Sequence, residues 1–122
     1  MKIELHELNN TRIAEVISAE VLITDPESGL DLLATLYYQD VDKIILHQKN
    51  ITPAFFDLKN GIAGEILQKF SNYRVRLAIV GDVSSYTSKS MQNFIFESNK
   101  GMQVNFVGST VEAIERFLNK KT

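Results

Sequence analysis

Few side chains in this 122-residue chain could carry acid–base or metal chemistry. There are two histidines, His6 and His47, and no cysteine, so disulfides, thiolate metal sites and cysteine nucleophiles are excluded. The two histidines lie in different predicted strands, and neither has a second ligand at a spacing typical of metal sites. We therefore predict that each is structural or exposed, and that no metal is bound.

A loop rich in hydroxyl groups, residues 81–90, precedes a predicted helix. The N-terminus of a helix offers free backbone N–H groups to an anion. The P-loop pattern G-x-x-x-x-G-K-[ST] does not occur, however, so no nucleotide cofactor is predicted. Capping of the helix by Thr87 or Ser88 is the simpler interpretation of the hydroxyl groups next to it.

The ends of the predicted strands carry polar residues. Open α/β sheets bind ligands outside the carboxyl ends of their strands. One hypothesis is therefore a domain that binds a small molecule at this end of the sheet, with or without catalysis. The residues of this site would be His47, Gly81, Asp82, Ser84, Ser85, Ser88 and Ser90.

The entry to the second predicted helix, residues 57–61, supports a different hypothesis, a surface that binds a partner protein. The helix dipole gives this end polar character, and Gly61 and Gly64 leave room for a partner backbone. In the alternative interpretation, Asp57 or Asn60 only caps backbone N–H groups. The predicted contact residues are Asp57, Lys59, Asn60, Gly61 and Glu65.

Hydrophobic spacing predicts the elements that position these residues, in the order β-β-α-β-α-β-α-β-α. The pair Asn9-Asn10 between two β-prone runs predicts an N-terminal hairpin. Strands then alternate with helices, which indicates right-handed crossovers and a mainly parallel sheet. We predict one α/β domain, residues 1–122, with a single-layer, mainly parallel five-stranded sheet and four helices.

Apolar residues outside the predicted core faces suggest self-association. Leu32 and Leu36 lie off the core face of the first helix, which begins at Asp25-Pro26, and Phe96 lies off that of the third. A contiguous patch of this kind marks an interface, and two-fold dimers are the commonest result. We therefore predict a homodimer. The predicted core face of the first helix is Leu30, Leu33, Ala34 and Tyr37.

The composition limits the class of protein and of partner. The chain is 44% hydrophobic and 23% charged, which is typical of a globular domain. Its 13 basic and 15 acidic residues give a net charge of -2, so no electrostatic case for nucleic-acid binding arises. No run approaches the roughly 20 apolar residues of a membrane span, and none resembles a signal peptide. We expect a cytoplasmic protein, because the lack of cysteine fits a reducing compartment.

Three blocks of sequence resemble a known family. They are FFDLKNGIAGEILQK at residues 55–69, LAIVGD at residues 77–82 and FIFESNKG at residues 94–101. These blocks are similar to an uncharacterised bacterial family catalogued as domain of unknown function 4180. The family has no established activity, so the resemblance implies membership and no function.

More distantly, the order of elements resembles the STAS domain of anti-sigma-factor antagonists. In that family a strand leads through an aspartate into a helix start that contains glycine, and a partner kinase phosphorylates the serine before this glycine. The resemblance implies a non-catalytic interaction or regulatory domain rather than an enzyme. Leu58, Lys59 and Asn60 stand where the family has hydroxyl-bearing residues, so the resemblance does not extend to the phosphorylation switch.

Overall fold

The computed structural model describes residues 1–119, so residues 120–122 of the predicted domain lie outside the described part. Within it, the order of strands and helices is the predicted one, with four short 3-10 helices in the loops. No helix of residues 1–119 is long and apolar enough to span a membrane. The elements are β1 (Lys2–Leu8), β2 (Thr11–Ile17), α1 (Pro26–Tyr37), β3 (Lys43–His47), α2 (Ile62–Asn72), β4 (Arg76–Val80), α3 (Lys89–Lys100), β5 (Val104–Val107) and α4 (Thr110–Leu118).

The five strands form one sheet in chain order, β1-β2-β3-β4-β5. β1 is antiparallel to β2, and the other three pairs are parallel. Asn9 and Asn10 make the hairpin turn with φ angles of 52° and 62°, the left-handed conformation that a two-residue turn of this kind requires. The predicted fold class, a mainly parallel five-stranded sheet with an N-terminal hairpin and four helices, is confirmed.

The two faces of the sheet have different covers, because successive side chains of a strand point to opposite faces. Three helices, α1, α2 and α3, pack on one face and form the larger core with it. We call the opposite face the α4 face, since α4 packs on it. The core on the α4 face is Ile13, Ile45, Ala78, Val107, Ala113 and Phe117.

The start of α1 follows the sequence prediction, but its core face does not. Asp25 caps the helix, since its Oδ1 accepts a hydrogen bond from the Ser28 N–H at 2.8 Å. The predicted core face was wrong by about one position, because Gly29 packs against Ile66 of α2 and a Cβ there would lie 3.3 Å from that side chain. The buried residues of α1 are Gly29, Leu32, Leu33 and Leu36.

This rotation removes the α1 part of the surface on which the dimer prediction depended. Leu32 is 8% exposed and Leu36 is 0% exposed, so both belong to the core. Phe96 of α3 is 64% exposed, and the ammonium of Lys100 lies 4.7 Å from its ring centroid. The homodimer stays a prediction, and Phe96 is the one of the three predicted surface residues that lies outside the core.

Candidate functional site

The polar centre of the α4 face is Glu15 in β2, which is 7% exposed. Its Oε1 lies 3.0 Å from Nε2 of His6, and its Oε2 lies 2.7 Å from Nε2 of His47. The hydroxyl of Thr110 donates a third hydrogen bond to Oε2 at 3.1 Å. We call these four residues the Glu15 cluster. It joins β1, β2, β3 and the first turn of α4 at one carboxylate.

The register of the sheet explains how the cluster forms. Glu15 lies opposite Glu4 of β1 and opposite Ile45 of β3. Residues two apart in a strand share a face. His6, two residues after Glu4, and His47, two residues after Ile45, therefore both project on the α4 face next to Glu15.

The hydrogen bonds of Glu15 determine its charge and the ring nitrogen from which each histidine donates. Burial raises the pKa of Glu15, but the hydrogen bonds from His6, His47 and Thr110 and the nearby charge of His47 lower it, and the net result is a pKa below the ordinary 4.5. An ionised carboxylate only accepts hydrogen bonds, so both rings must donate from Nε2.

Two histidines and a glutamate are also ligand types of many metal sites. Across residues 1–119, however, no group of three or more histidine, aspartate or glutamate side chains is arranged to hold a metal ion. The two rings bond to different oxygens of the carboxylate. The geometry of the cluster is that of a hydrogen-bonded network.

His47 also lines a cleft of about 680 Å³ at the carboxyl ends of β3 and β4. The cleft is next to the Glu15 cluster, because His47 belongs to both. Apolar side chains form much of the wall, and polar groups lie among them. The other lining residues are Val21, Gln48, Lys49, Ile51, Pro53, Phe56, Val80, Gly81 and Tyr86.

Tyr86 and Gln48 connect the two sides of the cleft. The Tyr86 ring stacks on Phe56, with centroids 4.8 Å apart and planes at 20°, and its hydroxyl accepts a hydrogen bond from Nε2 of Gln48. Burial raises the pKa of Tyr86 above its ordinary 10.0, although this hydrogen bond lowers it in part. A Cβ on Gly81 would lie 2.1 Å from Oε1 of Gln48, so only glycine allows Gln48 to reach Tyr86.

The hydroxyl groups of the loop after β4 mainly serve the loop itself. Oδ1 of Asp82 accepts a hydrogen bond from the Ser84 N–H at 3.0 Å, and the Asp82 carbonyl accepts one from the Ser85 hydroxyl at 2.8 Å. Ser88 caps α3, since its hydroxyl oxygen accepts a hydrogen bond from the Met91 N–H at 3.3 Å. These contacts are those of the simpler capping interpretation.

The residues predicted for the strand-end site are therefore divided between two depressions. His47 and Gly81 line the large cleft, whereas Ser88 and Ser90 line a smaller one of about 390 Å³. Phe56 separates the two and borders both. The remaining predicted residues, Asp82, Ser84 and Ser85, are exposed and belong to neither lining.

The entry to α2 contains a separate 3-10 turn, Leu58–Asn60. Oδ1 of Asp57 accepts a hydrogen bond from the Lys59 N–H at 3.3 Å, and Oδ1 of Asn60 accepts one from the Ile62 N–H at 2.9 Å. Gly61 has a φ of 79° and comes immediately before Ile62, the first residue of α2. Asp57 and Asn60 thus both cap backbone groups.

The residues predicted to contact a partner lie together at this entry and on the first turn of α2, and all are exposed. Asp57 and Lys59 also line the smaller depression, together with Ser88 and Ser90. The two predicted sites are consequently neighbours on the molecule. We call the group Asp57, Lys59, Asn60, Gly61 and Glu65 the α2 tip.

Sequence reasoning did not find Glu15, Gln48 or Tyr86. The available signal for Glu15 was one charged residue inside an otherwise apolar strand, IAEVI at residues 13–17. Glutamate is rarely buried unless it is paired, so a glutamate in such a run indicates a partner elsewhere in the fold. Gln48 and Tyr86 had no comparable signal.

Comparison with known proteins gives a family for the chain. A family model described as Domain of unknown function (DUF4180) matches residues 8–117. The chain belongs to this family. No curated protein and no solved structure matches the chain. Membership in the family, which the three sequence blocks predicted, is confirmed, and the similarity to STAS domains stays a prediction.

Proposed function

We propose that the domain binds a small, mainly apolar molecule with one acidic group in the cleft at the carboxyl ends of β3 and β4. The observation that carries the proposal is the make-up of the cleft wall, where apolar side chains surround a few polar groups. Small-molecule sites in proteins commonly combine an apolar lining with a small number of polar groups that orient the ligand.

The polar groups of the wall define the class of ligand. Lys49 is exposed at the cleft, and none of the described residues forms an ion pair with it. His47 is held in place by Glu15, and Tyr86 is held by Gln48 and by Phe56. An ammonium group beside apolar and aromatic surface fits an aromatic or aliphatic carboxylate.

Nuclear magnetic resonance of the full chain tests this proposal with four probes, benzoate and hexanoate against benzyl alcohol and hexanol. We expect resonances of His47, Gln48 and Tyr86 to shift, and the acids to bind more tightly than the alcohols. Lys49→Gln should weaken acid binding roughly two- to fivefold, as for an exposed ion pair of up to about 1 kcal/mol. Lys59→Gln, the matched control at the α2 tip, should leave binding unchanged.

Shifts confined to the α2 tip, or no shifts with millimolar probe, would contradict the proposal. Gly81→Ala gives an independent check, because the added Cβ must displace Gln48 and so alter the cleft without changing its charge. We expect this variant to weaken binding of the acids and the alcohols equally.

The second candidate is the non-catalytic, STAS-like interaction domain, with the α2 tip as its contact surface. It is supported by Lys59 and Glu65, two exposed side chains for which no hydrogen bond or ion pair exists within residues 1–119. Partners captured from a lysate of the native cells by the wild type but not by Lys59→Glu would favour this candidate. Capture that Lys49→Glu abolishes instead would favour the cleft.

We propose a cytoplasmic location in a bacterial cell. The location is supported by the lack of cysteine, which fits a reducing compartment. The bacterial source is supported by the resemblance of the sequence blocks to a bacterial family. Neither the cytoplasmic location nor the bacterial source depends on whether the cleft or the α2 tip is the binding surface.

A further inference from the structure

We infer that two copies of this chain form a two-fold dimer by pairing their β1 strands antiparallel, with Leu5 on the symmetry axis. The two sheets would join into one continuous sheet. This inference goes beyond the proposed function, because the dimer surface is the free edge of β1 and does not include the cleft.

The outer edge of β1 is open. All seven residues of β1 pair with β2 in an unbroken register, with no bulge and no proline. Within the described residues, no backbone hydrogen bond from another part of the chain reaches the outer edge of β1. A straight, unpaired edge of this length is a template for pairing with another strand.

The opposite edge of the sheet, at β5, is covered by a side chain. β5 has four residues, and the Asn99 side chain covers its outer edge. Nδ2 of Asn99 donates to the Phe106 carbonyl at 3.1 Å, and the Phe106 N–H donates to Oδ1 of Asn99 at 2.8 Å. This side-chain amide thus occupies the place of a further strand.

Apolar side chains accompany the open edge. Leu5 is 43% exposed and Leu8 is 44% exposed, although both lie in a regular strand. Pairing about Leu5 would bring the two Leu5 side chains together and remove apolar surface from water. Exposed apolar residues on an unpaired edge strand favour association.

Charge selects the register. In one continuous sheet, residues directly opposite each other must point to the same face. The two-fold axis must therefore lie between the two copies of one residue. Moving the axis by one residue along the strand changes the pairing register by two. With Leu5 on the axis all seven residues pair, and Glu4 lies opposite His6 of the second copy. With Glu4 on the axis, two carboxylates would lie opposite each other, which is unfavourable, and with His6 on the axis Glu4 would lie opposite Leu8 instead of His6.

The Leu5-centred register also extends the Glu15 cluster. Glu4 is exposed and lies on the same face as His6 and Glu15. In the dimer, Glu4 of the second copy would lie beside His6, which already bonds to Glu15 at 3.0 Å. His6 of each copy would thereby lie between two carboxylates, its own Glu15 and Glu4 of the other copy.

The expected dimer is weak. Pairing of two seven-residue strands buries less than a standard interface, which has about 1,600 Å² in total. We expect a dissociation constant on the order of 10 to 100 µM, which corresponds to weak association. Sedimentation equilibrium of the full chain, over a concentration range that brackets these values, should show a monomer–dimer equilibrium.

Two variants of similar exposed apolar residues test the surface. Leu5→Lys places two ammonium groups on the axis and should yield a monomer at every concentration measured. Phe96→Lys, which changes an exposed residue of α3, should dimerise as the wild type does. A wild-type monomer throughout the range, or a Leu5→Lys dimer as stable as the wild type, would overturn the inference.

The chain has no cysteine, so single cysteine variants report the register directly. Leu5→Cys should form a disulfide-linked dimer on mild oxidation, because the two Cβ atoms would lie about 4.5–5.5 Å apart, within about 1 Å of the spacing in disulfides. Glu7→Cys lies two residues from the axis, on the same face, and should cross-link far more slowly. Equal rates for the two variants would overturn the Leu5-centred register, and circular dichroism would verify that both are folded.

Discussion

The two faces of the sheet differ in the polar groups that they bury. On the face covered by α1, α2 and α3, every buried strand residue is apolar. On the α4 face, Glu15 and Asn105 are buried among apolar residues, and His47 is half-buried beside them. A buried polar group costs free energy unless its hydrogen bonds are formed. We call the face covered by α1, α2 and α3 the three-helix face, and it therefore supplies the main stabilisation. The α4 face bears the free-energy cost of burying Glu15 and places a titratable network next to the cleft.

α4 has nine residues and is held by polar contacts at both ends. Thr110 in its first turn donates to Glu15. At its last turn, Arg76 donates to the carbonyls of Arg116 at 3.3 Å and Phe117 at 3.4 Å, and its guanidinium lies 5.1 Å from the Phe117 ring centroid. A cation near the C-terminus of a helix is favourable for the helix dipole. The position of α4, and so of Thr110, depends on these specific bonds as well as on packing.

The largest expected effect tests the three-helix face. Phe70 of α2 is buried in the core of that face, and Phe70→Ala should lower the free energy of unfolding by about 3–5 kcal/mol. Val111→Ala, on the exposed side of α4, should change it by no more than about 0.5 kcal/mol. Urea unfolding followed by circular dichroism measures both. A loss below about 1 kcal/mol for Phe70→Ala would show that this face is not the main source of stability.

A smaller effect is expected at the centre of the α4 face. Glu15→Gln keeps the shape of the side chain but cannot accept from His6, His47 and Thr110 at once, so donors remain unsatisfied. We expect a loss of about 1–3 kcal/mol in the free energy of unfolding at neutral pH. Thermal or urea unfolding of Glu15→Gln and of Phe70→Ala compares the contributions of the two faces to stability. A loss that equals or exceeds that of Phe70→Ala would contradict the conclusion that the three-helix face supplies the main stabilisation.

The same variant should change how stability depends on pH. The pKa of Glu15 is below its ordinary 4.5 in the folded protein, so its contribution to stability is fully present above that value. It is lost as the pH falls from 4.5 through the lowered pKa, because the unfolded chain then binds the proton more readily. The difference in stability between wild type and Glu15→Gln should therefore shrink between neutral pH and about pH 3. A constant difference across this range would mean that the cluster does not hold Glu15 ionised.

Local signals carried most of the fold prediction. The Asn9-Asn10 turn and the helix start at Asp25-Pro26 are determined by neighbours within a few residues, and both appear as predicted. The core face of α1 was misplaced because Gly29 has no apolar side chain to mark the contact that it makes with Ile66.

The site depends on contacts that no local pattern specifies. Glu15 meets His47 32 residues later and Thr110 95 residues later in the chain, and Gln48 meets Tyr86 38 residues later. Such contacts follow from the order of the strands in the sheet and from the face on which α4 packs. The individual strands and helices were therefore predictable from the sequence, whereas the cluster and the cleft required the assembled sheet.

The smallest expected effects are at the α2 tip, which belongs to neither face. Asp57→Ala removes the acceptor of the Lys59 N–H and should cost about 1 kcal/mol of unfolding free energy, as for the loss of a cap. Lys59→Glu changes only an exposed side chain and should cost within about 0.5 kcal/mol. Urea unfolding of both variants at neutral pH gives the ranking. If Lys59→Glu cost more than Asp57→Ala, the Lys59 side chain would have a structural role, and the α2 tip would no longer be a free surface on which a partner could bind.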